Sequence, residues 1–528
     1  MAAPGAHAAP GDVRSALDGG RLGLYDARDF RVAEGACADC GTIPQALWYF
    51  RDDVVAVPAE KPSGFARERT AQDDVRGWLH AFPDGDGSRP PLIWIGSPQI
   101  VDAGRLPRDV AASPVAGRFG YALAPKIAAN LSYFDASSAR HFDGRALKMR
   151  GRTQDGLFVA RTLWPLDYAL DFRQPALRPL GSQESLVSLV RADGGGAREP
   201  FAARVLWRRD AGAAPGWAGR PVLAFMLNGA QGDDDEAHGG HFAVVTGAFG
   251  PSGEWGDWLV DNFYNLDAVS EKGIIASTLP MDAYLADLNS GQAWYRPSYL
   301  LVAVLKRERT AALYQQAIGR VYNHFYRHDF LYRHSIANCA GISMQTLRSL
   351  GWAIPRQGPT SFAKAAVALP FMAAKDASLA SGQQAFDYLA AERTDLYPFA
   401  AFDAIGRDLL GRVAAGLQGG SRFERMLAED LDAVVFLRIP QFPSSRAFGQ
   451  APVLSMDDYL ARVPADKSEW KIIPVAPRPF PEELRDRGVP ADRTLPSVYA
   501  TWAWGAFIVL AAAAVVCLLR RRWRTARD

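Results

Sequence analysis

From Ala203 to Leu305 the chain alternates short, almost wholly apolar runs with turn-rich connections. Ala203–Arg208 (ARVLWR), Val222–Leu227 (VLAFML), His241–Gly247 (HFAVVTG), Trp258–Tyr264 (WLVDNFY) and Tyr299–Leu305 (YLLVAVL) have the length and the β-branched and aromatic content of strands. Five such runs predict a sheet. The period then changes: Leu313, Ala317, Val321 and Phe325 recur every four residues, which is one apolar stripe on a helix. A second helix is predicted from Cys339, with Ile342, Thr346 and Leu350 on one side and Gly351 placed to end it.

The flanks read differently. Up to about residue 200, runs such as PLIWIGSPQIV and GLFVARTLWPLDYALDF are broken by turn residues, so a β-rich N-terminal region is expected over 1–200, ending at the glycine-rich ADGGGAREP. Residues 201–356 form the central α+β unit, and 357–473 a mixed region with helical segments (SFAKAAVALPFMAAKDASL, QQAFDYLAAERTDLY) and one strand, DAVVFLRIP. Residues 474–497 are proline-rich and are expected to be a semi-extended stalk. Val498–Leu519 (VYATWAWGAFIVLAAAAVVCLL) carries no charge over the ~20 residues that a bilayer-crossing helix needs. Arg520, Arg521, Arg522, Arg524 and Arg527 follow it, which by the positive-inside tendency makes 520–528 a cytoplasmic tail. The expectation is a single-pass C-terminal membrane helix, with the lipid bilayer as partner and the body outside the cytoplasm, in the periplasm or an equivalent compartment.

Such a body needs an export signal, and MAAPGAHAAPGDV has neither a basic n-region nor an apolar h-region. Ala6, His7 and Ala8 form the small-x-small pattern of a cleavage site, so the expectation is a true start upstream of Met1. If the mature chain begins at Met1, a tail-anchored protein with a cytoplasmic body is the better reading.

Composition narrows the class of function. With 59 basic against 57 acidic residues, the 528-residue chain has no general pull toward nucleic acid. Hydrophobic residues at 48% and charged residues at 22% are ordinary for folded domains, and the length exceeds what one core usually organises. Of the four cysteines, Cys37 and Cys40 lack two further ligands for zinc and suit a local disulfide, while Cys517 lies in the apolar C-terminal stretch. His238 and His241 beside Asp233, Asp234, Asp235 and Glu236 lack the helix that such metal pairs need, so no metal or other cofactor is expected. His324 and His328, i and i+4 on one face, read as surface histidines.

Cys339 remains. Asn338 is a favoured N-cap, which sets Cys339 at the first helical position, where free N–H groups and the positive end of the helix dipole favour a thiolate. A buried cysteine acting as a small hydrophobe is the competing reading. Upstream, His241 opens a strand after Gly239 and Gly240, a placement that suits a general base facing a cleft, with Gly240 leaving room for a substrate backbone. Asp261 or Asn262 on the next strand would lie beside His241; strand alternation turns one of them inward, and Asp261 is preferred as the group that orients the imidazole. Asn338, Gly240 and Asn262 are expected to line the substrate side.

A histidine heading a strand, further strands, then asparagine-cysteine opening a helix resembles the circularly permuted papain-like thiol enzymes: lecithin:retinol acyltransferase-like proteins, NlpC-related cell-wall hydrolases and Lnb-type periplasmic domains. The matching positions are His241, Phe242, Ala243, Val244 and Gly247, and Asn338, Cys339, Leu347, Arg348 and Gly351, within about 150 of the 528 residues. The chain departs from the pattern in spacing His241 and Cys339 98 residues apart, in a long 265–298 insertion, and in having no evident second histidine on the neighbouring strand. The resemblance implies a permuted papain-like domain with Cys339 as nucleophile and His241 as base. The expected function is hydrolysis of an amide, in a peptide or cell-wall peptide, through an acyl-enzyme. Acyl transfer from lipid and a catalytically inactive envelope scaffold are the alternatives.

Overall fold

The computed structural model describes residues 20–32, 55–59, 61–66, 68–85, 89–95, 99–105, 121–126, 134–172, 177–192, 200–210, 216–229, 239–265, 274–326, 337–444, 451–462 and 465–466. Its frame follows from the apolar runs. Pro221–Asn228 and Ser298–Leu305 have almost no polar side chains in their interiors and are buried along both faces, so they lie at the centre of a sheet covered on each side. Among the described residues that sheet has ten strands: β1 (Arg31–Val32), β2 (Val55–Pro58), β3 (Leu92–Ile95), β4 (Ala202–Arg208), β5 (Pro221–Asn228), β6 (His241–Ala248), β7 (Leu259–Asn265), β8 (Ile274–Pro280), β9 (Ser298–Leu305) and β10 (Leu431–Ile439). The order across it is β4-β10-β9-β5-β6-β7-β8-β2-β3-β1. Every pairing is antiparallel except β1 with β3.

Helices cover one face: α1 (Ala71–Ala81), α3 (Arg309–Tyr326), α4 (Cys339–Ser349) and α7 (Pro398–Ala414), with α2 (Met281–Ala286) on the other. The stripe Leu313, Ala317, Val321 and Phe325 lies buried on α3 as the spacing requires. α4 starts at the capped Asn338 and stops before Gly351, whose φ of +98° a glycine accepts readily. Between α4 and α7 in the chain, α5 (Phe362–Lys375) and α6 (Leu379–Ala390) form a hairpin with a small core of its own. The face opposite the helices carries a five-stranded sheet of Gln99–Arg105, Tyr121–Leu123, Ala146–Gln154, Leu157–Ala160 and Trp164–Pro165. The two sheets meet through aromatic rings: a side chain at Gly247 of β6 would collide with Trp258, which packs on Trp255 at 5.8 Å, which in turn meets Trp164 edge-on at 4.8 Å.

The expected fold class needs correcting. The molecule is α+β, but among the described residues no helix is long and apolar enough to cross a membrane. The transmembrane element is therefore removed from the fold class; Val498–Leu519 and the stalk lie outside the described residues, as do Cys37, Cys40 and Cys517. The region expected to be β-rich also holds a helix, α1. Thr70 caps α1 by accepting from the Asp73 backbone, and Ala71, Val75 and Trp78 bury one side of that helix against α3 and α4. β2 and β3 extend the central sheet beyond β8, and β10 enters it from the other direction. One sheet thus draws strands from both sides of the boundaries expected near 200 and 356.

Candidate functional site

The register of β6 decides which groups can meet. Thr246 donates to Gln315 of α3 at 2.8 Å, so Phe242, Val244 and Thr246 face the helices and His241, Ala243, Val245 and Gly247 face the opposite way. On β7, Asp261 pairs with Val244 and accepts from Thr278 at 2.8 Å and from Gln315 at 3.3 Å, which fixes it on the helical face. Asn262, one residue on, faces the other side, and its Oδ1 is hydrogen-bonded to His241 Nε2. The partner of the imidazole is therefore Asn262. Asp261, expected in that role, is turned away by alternation and belongs to the buried layer beneath α3, in which Tyr322 donates to the Ser277 carbonyl at 2.8 Å.

Around the imidazole stands a buried polar group that sequence reasoning did not find. Asn228 pairs with His241 across β5 and β6 and donates to Ser298 Oγ at 2.7 Å. Tyr284 of α2 donates to Asn228 Oδ1 and holds its ring 6.4 Å from that of His241. Asn228 and Ser298 lie one residue beyond the runs read as strands, and their level with His241 is set by the pairing alone; Tyr284, inside the 265–298 insertion, left no signal. Arg296 lies just before β9 and donates to the Gly229 carbonyl at 3.2 Å. Gly240, with φ of +75°, is there because a side chain would meet the Asn228 carbonyl at 2.7 Å and Pro452 at 3.3 Å. The close approach expected at Gly240 is thus made by the chain itself.

Cys339 reaches the same end of the sheet by another route. Asn338 Oδ1 accepts from the Gly341 N–H at 2.8 Å, the cap that the sequence predicted, and its Nδ2 donates to the Leu396 carbonyl at 2.8 Å. Leu396 packs in one cluster with Val453, next to the Pro452 that touches Gly240. Cys339 is 4% exposed at the start of α4, and Ser343 donates to its carbonyl at 2.9 Å. α4 lies on the helical face: its turn leads to Trp352, whose ring meets Phe225 at 5.6 Å, and Phe225 pairs with Val244. α4, with the thiol at its start, and the imidazole therefore lie on opposite faces of the sheet.

Burial sets the charge states. It pushes the His241 imidazole down to about 4, helped by the Arg296 guanidinium and opposed by the bond to Asn262. Because Asn262 Oδ1 can only accept, Nε2 carries the proton and Nδ1 the lone pair. Burial pushes Asp261 up to about 7, against the hydrogen bonds from Thr278, Gln315 and Tyr322. His324, expected at the surface, is buried, its ring tilted against that of Phe65 at 4.5 Å and its Nε2 3.6 Å from Asp74. Although burial opposes it, the bonds from His324 and Arg320 hold Asp74 below the usual carboxylate range. No group of three metal-ligating side chains occurs among the described residues; His238, His328, His334 and the 233–236 acidic run lie outside them. Comparison with protein-family models, with curated proteins and with solved structures gives no match.

Proposed function

We propose that the chain is a thiol hydrolase that cleaves an amide, in a peptide or cell-wall peptide, through an acyl-enzyme on Cys339. The observation that carries this reading is the His241–Asn262 pair: an imidazole that burial keeps neutral, held by an amide oxygen at the head of β6, is the kind of group that takes a proton from a thiol. The capped start of α4 adds a thiol at the positive end of a helix dipole. The permuted papain-like resemblance agrees with these roles.

In the proposed course, Nδ1 takes the Cys339 proton as sulfur bonds to the carbonyl carbon, and N–H groups at the helix start receive the oxyanion. The C–N bond then breaks, the imidazolium gives its proton to the leaving amine, and a thioester remains. Water attacks the thioester, its proton passing to Nδ1, and the carboxylic acid leaves as the thiol is restored. The reading requires the sulfur and Nδ1 to meet around the end of β6.

Turnover of peptide amides by the purified full chain tests it. Cys339→Ala and His241→Ala should each lower the rate by at least about 100-fold in variants that remain folded by circular dichroism; turnover that survives both substitutions refutes the proposal. One observation favours a non-catalytic reading instead. Cys339 is almost sealed, on the face opposite the imidazole. A thiol that stays inert in the native state would support it.

A further inference from the structure

Among the described residues, Arg296 is a charge without a counter-charge at this end of the sheet. Its side chain is more than nine-tenths buried, yet its Nη1 reaches only a backbone carbonyl, that of Gly229 at 3.2 Å, and its Nε is buried without a partner. The other deeply buried arginines are treated differently. Arg150 holds Asp282 at 2.7 Å, and Arg320 holds both oxygens of Asp74 at 2.8 and 2.9 Å. Arg296 has no carboxylate within ion-pair distance among the described residues, and removing a guanidinium from water without an anion costs several kcal/mol. A fold keeps such a group where something else supplies the charge.

The position says what that is. Gly229 donates to the Pro297 carbonyl at 2.8 Å, which sets Arg296 beside the Asn228–His241 pair, and its field acts on the imidazole. We infer that Arg296 seats an anionic group of the substrate, a carboxylate near the amide to be cleaved. The inference rests on the hydrolase reading for the word substrate, but the anion seat stands by itself. A planar guanidinium with free donors fits a carboxylate in two-point fashion, which an ammonium does not. An anion bound there would also screen Arg296 from His241 and make the base stronger when substrate is present.

The test uses the full chain and two probes of equal shape, N-acetylglycine and its neutral amide, N-acetylglycinamide. N-acetylglycine should raise the melting temperature by about 2 °C at concentrations well above its Kd, and the neutral amide should not. The shift should disappear in Arg296→Gln and persist in part in Arg296→Lys, which keeps the charge. Arg296→Gln without probe should melt no lower than the parent, because it removes an uncompensated charge. Equal shifts with both probes, no shift with either, or a shift retained in Arg296→Gln overturns the inference; if that variant fails to fold, the probe contrast in the parent still decides. Iodoacetamide labelling of Cys339 in the same samples keeps the two proposals apart. An inert thiol with an intact anion-specific shift removes the hydrolase and leaves the anion seat, and a reactive thiol without the shift does the reverse.

Discussion

A neutral imidazole hydrogen-bonded to Asn262 through Nε2 is the form that can take up a proton, and burial keeps it neutral well below pH 7. Turnover should therefore hold as pH falls to about 5 and decline only as pH passes about 4, where an ordinary histidine would fail near 6.5; an acidic limb centred near 6.5 in the pH–rate profile would contradict this. Asn262→Ala, which frees the ring to turn, should lower turnover roughly 10- to 100-fold while Asp261→Asn does far less, as steady-state rates would read. The sequence made His241 legible as the head of a strand and narrowed its partner to two adjacent residues. Choosing between them needed the facing of β6, which is set by Thr246 reaching α3 and by nothing local to His241.

At the level of elements, the two strands under the site carry opposed titrations. Asp261 is raised to about 7, above its unfolded value, so its contribution to stability is full in acid and is lost as pH rises from about 4 through 7. His241 is depressed to about 4, so its contribution is present above about 6.5 and is lost as pH falls through 4. His141, half-buried and depressed to about 4 by burial and the nearby Arg145 charge, adds to the same sign. Asp261→Asn removes one side of this balance. In denaturant titrations between about pH 4.5 and 6, the variant's stability should rise with pH more steeply than the parent's, by about 1 kcal/mol per pH unit; parallel slopes would refute it. Asn338→Ala should cost about 1 kcal/mol through the lost cap of α4, measurable by the same titrations. The helices α3 and α4 were legible from spacing, cap and terminal glycine. β8 was not, because IIASTLP is short and lies inside what reads as an insertion, and α1 was hidden among turn residues despite Thr70 and the Ala71, Val75, Trp78 stripe.

Over the whole molecule, buried charge ties the small sheet to the layer beneath the site. Arg150 holds Asp282 of α2, and Arg150 and Lys148 share Asp257, with Lys148 at 2.6 Å. Asp282→Ala would leave Arg150 in the interior without its main counter-charge and should destabilise by about 3–5 kcal/mol, seen as a lower melting temperature. A chain cut near residue 200 should likewise lose the stability of the central unit, since β2 and β3 lie in its sheet and Asp74 of α1 neutralises Arg320 of α3. Such long-range pairing has no local signal, so the sequence supplied the strands while leaving their order unreadable.

The central claim is that Cys339 and His241 act on one another. Its most direct measurement is the rate at which a small neutral electrophile, iodoacetamide, labels Cys339 in the native full chain, followed by mass spectrometry of the Cys339 peptide. The account predicts labelling faster than that of a free thiol at neutral pH, and a fall of at least about tenfold in His241→Ala. A thiol that reacts only after unfolding, or equally fast with and without the imidazole, would contradict it.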